Sequence, residues 1–316
     1  MQTITVIFKN ARQAFGSQVS YKLLMKIFDA QVRPLLEYSA EIWYQGKEIK
    51  ELETTHLKFI KRALGIKQTT PTLAVYGETG RYPLHLRFTD SCLKFWDRLN
   101  KCNKEKILFK VFLDLQKLHE DGHQTWVTRI HNMVRESCPD EHSFNEIIST
   151  SKNVYSDTKE YRYNKFNKHW HEAIMNTNEN PKLRKYISFK HRFEQSAYLS
   201  HCMPKKLQKT LAQFRTSSHK LRIETGRYEG LPAVERTCEF CLSSEIDDES
   251  HLLLSCKFHE QDRINFLNAV SQNIAIDKIS SQNQFYILMS SSDKDIIYQV
   301  ANFINKCFIK RAISSS

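Results

Sequence analysis

Three cysteines and one histidine in the last third of the chain share the spacing C-x2-C-x9-H-x4-C, which limits the local fold more than any other feature. They are Cys238, Cys241, His251 and Cys256. Two thiols separated by two residues, then a histidine and a cysteine about one helical turn apart, can converge on one tetrahedral ion. Zinc suits this mixed sulfur and nitrogen set. Because three thiolates and one imidazole fill all four positions, the predicted Zn²⁺ ion is structural, with no position for a catalytic water.

Two other interpretations of these cysteines stay open at the level of sequence. The chain has 8 cysteines in 316 residues, so a C-x2-C pair can arise by chance as free structural cysteines or as a disulfide. The polar loop 243–250, however, has too few apolar side chains to fold without a metal. His259 is a rival to Cys256 as the fourth ligand. We prefer Cys256 because it follows His251 by one turn.

Composition narrows the class of protein. Lys plus Arg is 47 against 35 acidic residues, a net charge of +12, which favours polyanionic partners, although many basic proteins bind no nucleic acid. Glycine, at 8 residues, and proline, at 7, are rare, which indicates a mainly helical protein. No segment approaches the roughly 18 apolar residues of a membrane span. The start of the chain is a poor signal peptide, so an intracellular protein of the nucleus or cytoplasm is expected.

Apolar residues at helical spacing predict a succession of helices. The patterns cover residues 20–32, 48–64, 84–99, 104–120, 123–136 and 159–176. Gly65 is expected to end the second helix. His56 lies on the apolar stripe of that helix, so we interpret it as a core histidine and not as a ligand.

These patterns predict a mainly α fold, in which a helical bundle precedes a second helical domain that carries a small CCHC zinc module. The predicted division is a helical region (1–136), a linker rich in Ser, Asn and Asp (137–158), a basic helical region (159–230), the CCHC module (231–270) and a C-terminal helical tail (271–316).

A series of motifs resembles non-LTR (LINE-type) retrotransposon reverse transcriptases. Residues 21–43, with Pro34 and Trp43, resemble the region just after the polymerase core of that family. Further matches, in order, are residues 64–66, 77–84, 214–228 and the zinc motif, with 252–263 as its ending. The resemblance covers roughly residues 10–270. Two departures are Leu242, where a small residue is usual, and the weakly patterned segment 137–158.

The resemblance implies the thumb-like region and zinc-bearing C-terminal part of a reverse transcriptase. Members of that family polymerise DNA with a Tyr/Phe-x-Asp-Asp turn that holds metal ions. This sequence has no such turn, and its Asp247-Asp248 lies inside the zinc loop. We therefore expect no catalytic residues and no enzymatic activity. The alternatives are a part of an RNA-directed DNA polymerase that needs the missing palm, or a zinc-stabilised protein-interaction module.

Basic residues concentrate between positions 182 and 227, beside the zinc motif. Cations bind phosphates and neighbouring aromatics can stack on bases, although Tyr186, Phe189 and Phe193 also have the spacing of a core stripe. RNA or DNA, and the upstream reverse transcriptase domains in the alternative, are the expected partners, with no membrane. The predicted nucleic-acid-binding residues are Lys182, Arg184, Lys185, Lys190, Arg192, Lys205, Lys206, Lys209, Arg215, His219, Lys220, Arg222 and Arg227.

Overall fold

The computed structural model describes residues 6, 9–10, 13, 19–47, 49–241, 243–274, 276 and 279–315, and these residues form a mainly α protein, as predicted. The α-helices in chain order are α1 (Tyr21–Ile27), α2 (Arg33–Leu36), α3 (Ala40–Trp43), α4 (Lys50–Leu64), α5 (Thr72–Thr79), α6 (Leu84–Asn100), α7 (Ile107–Glu120), α8 (Trp126–Glu136), α9 (Glu141–Thr150), α10 (Val154–Met175), α11 (Lys205–Arg215), α12 (Arg222–Thr225), α13 (Glu260–Ser271), α14 (Ser281–Ser290) and α15 (Lys294–Ser314).

Short helical turns and two isolated bridges complete the described secondary structure. Two π-helical turns span Phe28–Val32 and His251–Ser255. The 3-10 turns are Pro181–Leu183, Tyr186–Ser188, Ala197–Leu199, Ala233–Glu235 and Lys257–His259. Antiparallel bridges join Thr79 to Gln195 and Thr237 to Ile246. Within the described ranges, no helix has the length and hydropathy needed to cross a bilayer.

Helix bounds predicted from periodicity agree with the structure to within a few residues. The pattern over 48–64 corresponds to α4, and Gly65 follows that helix with φ +72°. This left-handed conformation favours glycine because it has no Cβ. His56 is buried and its Nδ1 lies 2.9 Å from Glu53 Oε1, which confirms its interpretation as a core histidine.

The described chain divides into two compact units that differ from the predicted domains. Unit 1 comprises 1–27, 57–81 and 171–316, and unit 2 comprises 28–56 and 82–170. Dividing the sequence into consecutive domains cannot reveal this arrangement, because each unit is assembled from segments that are far apart in the chain.

Unit 2 is built around the apolar faces of α6, α8 and α9. Phe88 and Leu93 of α6 and Ile130 of α8 are at most 1% exposed. Asp97 accepts hydrogen bonds from the backbone N–H groups of Val154 and Tyr155, at 2.9 and 3.1 Å, and so satisfies the free N–H groups at the start of α10.

The segment expected to be a linker, residues 137–158, instead contains α9 and the start of α10. Phe144 and Val154 are buried in the core of unit 2, and Ile147 and Ile148 pack against it. Asp140 caps α9 by accepting from the Ser143 N–H at 2.8 Å. The polar composition reflects the exposed face of a helix, since a few apolar residues at helical spacing are enough to anchor it.

Helix α15 is a central element of unit 1 and not a tail. It packs against α11, α13 and α14 and buries residues along its whole length, including Ile297, Ile304 and Cys307. Phe303 stacks on Phe266 of α13 with ring centroids 4.7 Å apart. The C-terminal region therefore helps to hold the residues around the predicted metal site.

A buried ion pair joins two of the sequence motifs inside unit 1. Arg215 Nε donates to Glu78 Oε2 at 2.8 Å, and both residues are almost fully buried. Burial alone would raise the pKa of the Glu78 carboxyl, but the charge and hydrogen bonds of Arg215 outweigh it and hold that pKa below its ordinary value. Gly80 follows with φ +61°, and a Cβ there would lie 2.5 Å from Gln195 N.

Candidate metal centre and adjoining groove

The four predicted ligands converge at one point of unit 1. One ligand atom from each lies within 4.8 Å of all the others. The Cys238 and Cys256 Sγ atoms are 3.9 Å apart, and Cys241 Sγ is 3.4 Å from His251 Nε2. A tetrahedral ion with Zn–S distances of about 2.3 Å sets two thiolates about 3.8 Å apart, so the cluster fits one metal ion. All 8 cysteines are free, so no disulfide competes for these thiols.

Two short backbone structures place the ligands. A narrow turn carries Cys238 and Cys241, closed by bonds from Cys238 N to Glu245 O and from Asp247 N to Arg236 O, both 2.9 Å. His251 begins the π-helical turn, in which Cys256 N donates to His251 O at 2.8 Å. The wider π turn aligns residues five apart, which is why the H-x4-C spacing brings both side chains to the same side.

A carboxylate fixes the orientation of the histidine ring. His251 Nδ1 lies 2.7 Å from Glu245 Oε2, and Ser255 Oγ donates to the same oxygen at 2.8 Å. The tautomer with its proton on Nδ1 donates to Glu245 and leaves the lone pair of Nε2 for a metal ion. This is the usual outer partner of a metal-bound imidazole, and it makes the ring a better ligand.

Arg311, from α15, holds the other side of the cluster. Its Nη2 donates to the Sγ atoms of Cys238 and Cys256, at 3.6 Å each, and its Nη1 donates to both oxygens of Asp247 at 2.8 and 3.0 Å. Its Nε donates to His259 Nε2 at 3.1 Å. His259 is therefore an acceptor for Arg311 and lies outside the cluster of four.

These contacts set the charges of the thiols and of His259. The hydrogen bond with Cys238 lowers the pKa of Cys256 to about 7. Burial opposes this shift, and the charge of Arg311 reinforces it. The same bond raises the pKa of Cys238 to about 11. Burial, followed by the charge of Arg311, lowers the pKa of His259 to about 4, which keeps its ring neutral as an acceptor. A site that already favours one thiolate needs to release fewer protons when a metal binds.

Replacing Arg311 with glutamine is expected to weaken metal binding by about 10–100-fold, the usual effect of losing an outer partner of metal ligands. The thiolates lose two N–H donors and Asp247 loses its ion pair. Competition with a chromophoric chelator measures the affinity. Lys306→Gln, an exposed position on the same helix, is the control. Equal affinities for the two variants, with helical content unchanged, would contradict this role.

Six of the 13 residues predicted to bind nucleic acid form ion pairs with acidic side chains of unit 1. Arg215 pairs with Glu78, and His219 Nε2 lies 2.8 Å from Glu249 Oε1. Lys190 is buried and donates to Glu194 O at 2.6 Å. Ion pairs also hold the remaining members of this group, Arg184 with Glu224 and Glu249, Lys185 with Asp248, Arg222 with Glu229 and Glu239, and Arg227 with Glu224. Tyr186 and Phe189 are buried, as in the core interpretation.

The rest of the predicted cations are accessible, and three of them line one groove. Lys206, Lys209 and Lys220 are exposed and line a cavity of about 800 Å³ together with Arg222. Arg192 is exposed, and Lys182 and Lys205 are half-buried, outside that lining. We call the cavity that Lys206, Lys209 and Lys220 line the basic groove. Its other lining residues are Lys67, Thr210, Gln213, Ser218, His219, Leu221, Thr225, Glu239, Phe240, Asp247, Asn305, Phe308, Ile309, Arg311, Ala312 and Ser315.

The metal centre and the basic groove share residues. Phe240, between Cys238 and Cys241 in sequence, lines the groove, and the Arg311 guanidinium lies 4.7 Å from its ring centroid. Sequence reasoning missed Lys67 and Arg311, because no local pattern links either residue to the zinc motif. The sequence distinguishes Asp247 only as part of an Asp-Asp pair and does not indicate its contact with Arg311.

No family model, curated protein or solved structure matches the chain.

Proposed function

We propose that this chain is a non-catalytic nucleic-acid-binding protein, whose basic groove binds a single strand and whose Cys3His cluster holds one structural Zn²⁺ ion. The observation that carries the proposal is the composition of the groove. Six lysines and arginines line it against two carboxylates, Glu239 and Asp247. A groove with such an excess of cations attracts a polyanion.

The cations of the groove are accessible to phosphates. Within the described part of the chain, Lys206, Lys209 and Lys220 have no ion-pair partner, so their charges are not neutralised. Lys206 and Lys209 lie three residues apart on α11 and therefore on one face. Lys67 Nζ donates to His219 O at 3.3 Å, which places a fourth ammonium group at the same groove.

Two aromatic rings that line the groove support the proposal of a single-stranded ligand. Phe240 and Phe308 are both half-buried. Each ring is supported by a neighbouring ring, Phe308 by Phe214 with centroids 6.4 Å apart and Phe240 by Phe258 with centroids 5.4 Å apart. A supported ring beside a row of cations is the usual platform for single-stranded nucleic acid.

The order of the sequence motifs supports a further proposal, that the chain is the C-terminal part of a non-LTR retrotransposon reverse transcriptase and binds element RNA or target DNA. The Glu78–Arg215 ion pair joins the motifs at 77–84 and 214–228. The zinc motif follows the second of these motifs in the sequence. Zinc is the metal proposed because three thiolates and one imidazole are its usual structural set.

We expect the metal-loaded protein to bind a fluorescently labelled RNA strand with an affinity that falls steeply as salt rises. Each phosphate contact contributes about −0.7 to the slope of log K against log salt for a single strand. Lys206→Glu, Lys209→Glu and Lys220→Glu together should remove about two units of that slope and weaken binding at least tenfold. Anisotropy titrations at several salt concentrations measure both quantities.

A charge-matched variant provides the control. Lys22→Glu, Lys26→Glu and Lys294→Glu change three exposed positions of unit 1 outside the groove and give the same net charge. Equal losses of affinity in the two triple variants would show that net charge, and not the groove, determines binding. Absence of salt-sensitive binding to RNA and to duplex DNA, in a protein that holds its metal, would overturn the proposal in favour of a protein-interaction module.

A further inference from the structure

A second cavity of unit 1, of about 450 Å³, is lined by residues of α11, α14, α15 and the segment 189–198. This volume is within the range of small-molecule sites. Among the described lining residues, Lys190, Arg192 and Arg215 stand against one carboxylate, that of Glu194. The cavity and the basic groove have no described lining residue in common, so they are separate sites.

The buried part of this lining carries an uncompensated positive charge. Arg215 and Lys190 are both buried, and Arg215 is neutralised by its ion pair with the buried Glu78. Lys190 Nζ instead donates to two neutral acceptors, Glu194 O at 2.6 Å and Ser196 Oγ at 3.2 Å. Within the described residues Lys190 forms no ion pair, and the exposed Glu194 side chain is screened by solvent. Because buried charges are normally paired, this ammonium group beside a cavity indicates an anionic ligand.

The Lys190 ammonium group is charged at neutral pH and has a donor to spare. Burial lowers its pKa to about 8, and the charge of Arg215 acts in the same direction. The carboxylates of Glu78 and Glu194 oppose that shift. A group with this pKa is mostly protonated at pH 7. An ammonium group has three N–H donors, of which two are used, so one remains for a ligand.

Another part of the lining suits the apolar portion of a small molecule. Phe189, Leu211 and Val300 are buried apolar residues of the lining. The exposed side chains of His191 and Tyr286 also line the cavity, with ring centroids 5.8 Å apart. Apolar and aromatic walls with a few polar groups are the usual composition of a site for an organic ligand.

We propose that this cavity binds a small organic carboxylate, whose charged group pairs with Lys190 and whose apolar part contacts Phe189, Leu211 and Val300. A carboxylate carries the single negative charge that the buried lining lacks, whereas a phosphate monoester carries close to two at pH 7. The site is independent of nucleic-acid binding and goes beyond the function proposed above.

The charge of the ligand is tested by titrating the metal-loaded, nuclease-treated protein with 4-fluorobenzoate and following its fluorine resonance at pH 7. We expect saturable binding at millimolar concentrations. The neutral probe of the same shape, 4-fluorobenzamide, should bind at least tenfold more weakly. No saturation by 4-fluorobenzoate, or equal affinities for the two probes, would overturn the proposal. Because both probes are added to the native protein, this comparison needs no variant that folds.

The place of the ligand is tested with variants. Lys190→Met should weaken the binding of 4-fluorobenzoate at least tenfold, with unchanged helical content and metal content. Lys26→Met, the same change at an exposed position of unit 1 outside the cavity, should leave the affinity unchanged. Full affinity in Lys190→Met would overturn the assignment.

Two further titrations separate this site from other anion sites. The triple variant Lys206→Glu, Lys209→Glu and Lys220→Glu should bind 4-fluorobenzoate as the native protein does, and a tenfold loss would place the probe in the basic groove and overturn the proposal. Inorganic phosphate should displace 4-fluorobenzoate no better than chloride does at the same ionic strength. Stronger displacement by phosphate would overturn the choice of a carboxylate. None of these outcomes depends on whether the protein binds RNA.

Discussion

Serine in place of Cys256 is expected to abolish stoichiometric metal binding. The variant removes the thiol whose pKa is lowered to about 7, together with one acceptor of Arg311. Because metal ligands supply the folding free energy of such small modules, residues 236–256 should lose their turns and become sensitive to proteases. Elemental analysis should find one zinc ion per native chain and less than about a tenth of that in the variant.

The control for this experiment is Cys202→Ser, since Cys202 belongs to the same unit and is exposed and free. It should retain one ion per chain. The experiment also decides between the two candidates for the fourth ligand. If Cys256→Ser kept its metal while His259→Ala lost it, then His259 would be the ligand and the hydrogen bond from Arg311 would belong to the metal-free state.

Glutamine in place of Glu78 is expected to lower the free energy of unfolding of unit 1 by about 3–5 kcal/mol, the usual effect of breaking a buried ion pair. The variant leaves the Arg215 guanidinium uncompensated in a site where it is 7% exposed. Replacing both residues, with Glu78→Leu and Arg215→Met, should cost less than the sum of the two single changes, because no unpaired charge remains.

The measurement must report on unit 1. All 4 tryptophans, at positions 43, 96, 126 and 170, lie in unit 2, so their fluorescence follows the other unit. Hydrogen exchange at the amides of α11 and α15 in urea gives the required free energy. Glu194→Gln, an exposed carboxylate of unit 1, should change it by less than about 0.5 kcal/mol. A similar small effect for Glu78→Gln would contradict the importance of the pair.

The same pair predicts how stability depends on pH. The pKa of Glu78 is held below its ordinary value of 4.5 in the folded protein. A depressed carboxyl pKa stabilises the folded state above the unfolded pKa, and this contribution is lost as pH falls through the folded pKa. Unit 1 of the native protein should therefore lose stability below about pH 4.5 more steeply than unit 1 of the Glu78→Gln variant.

Features encoded by neighbouring residues could be predicted from the sequence. The helix bounds follow from periodicity over a few turns, and the four metal ligands lie within a span whose spacing alone restricts them to one ion. Arg311 could not be found in this way. It approaches the cluster because α15 packs against α11 and α13, and no short-range pattern reports that packing.

The basic region shows why cations were harder to assign than ligands. Arg215 and Lys209 are close in sequence and both positively charged, yet Arg215 is buried against Glu78 and Lys209 is exposed in the basic groove. The difference depends on the partner that each side chain meets. Glu78 lies 137 positions from Arg215, so composition alone overestimates the number of cations available to a ligand.

The interleaving of the two units has a consequence for the order of events on the ribosome. Every segment of unit 2 has been synthesised once residue 170 is made, whereas unit 1 still lacks the metal ligands, α11 and α15. The segment 57–81 carries Glu78, whose partner Arg215 is synthesised 137 residues later. This segment therefore cannot complete its packing until that later part of the chain has been made. Because domains fold as units during synthesis, we expect unit 2 to acquire its core first and unit 1 to capture its metal last.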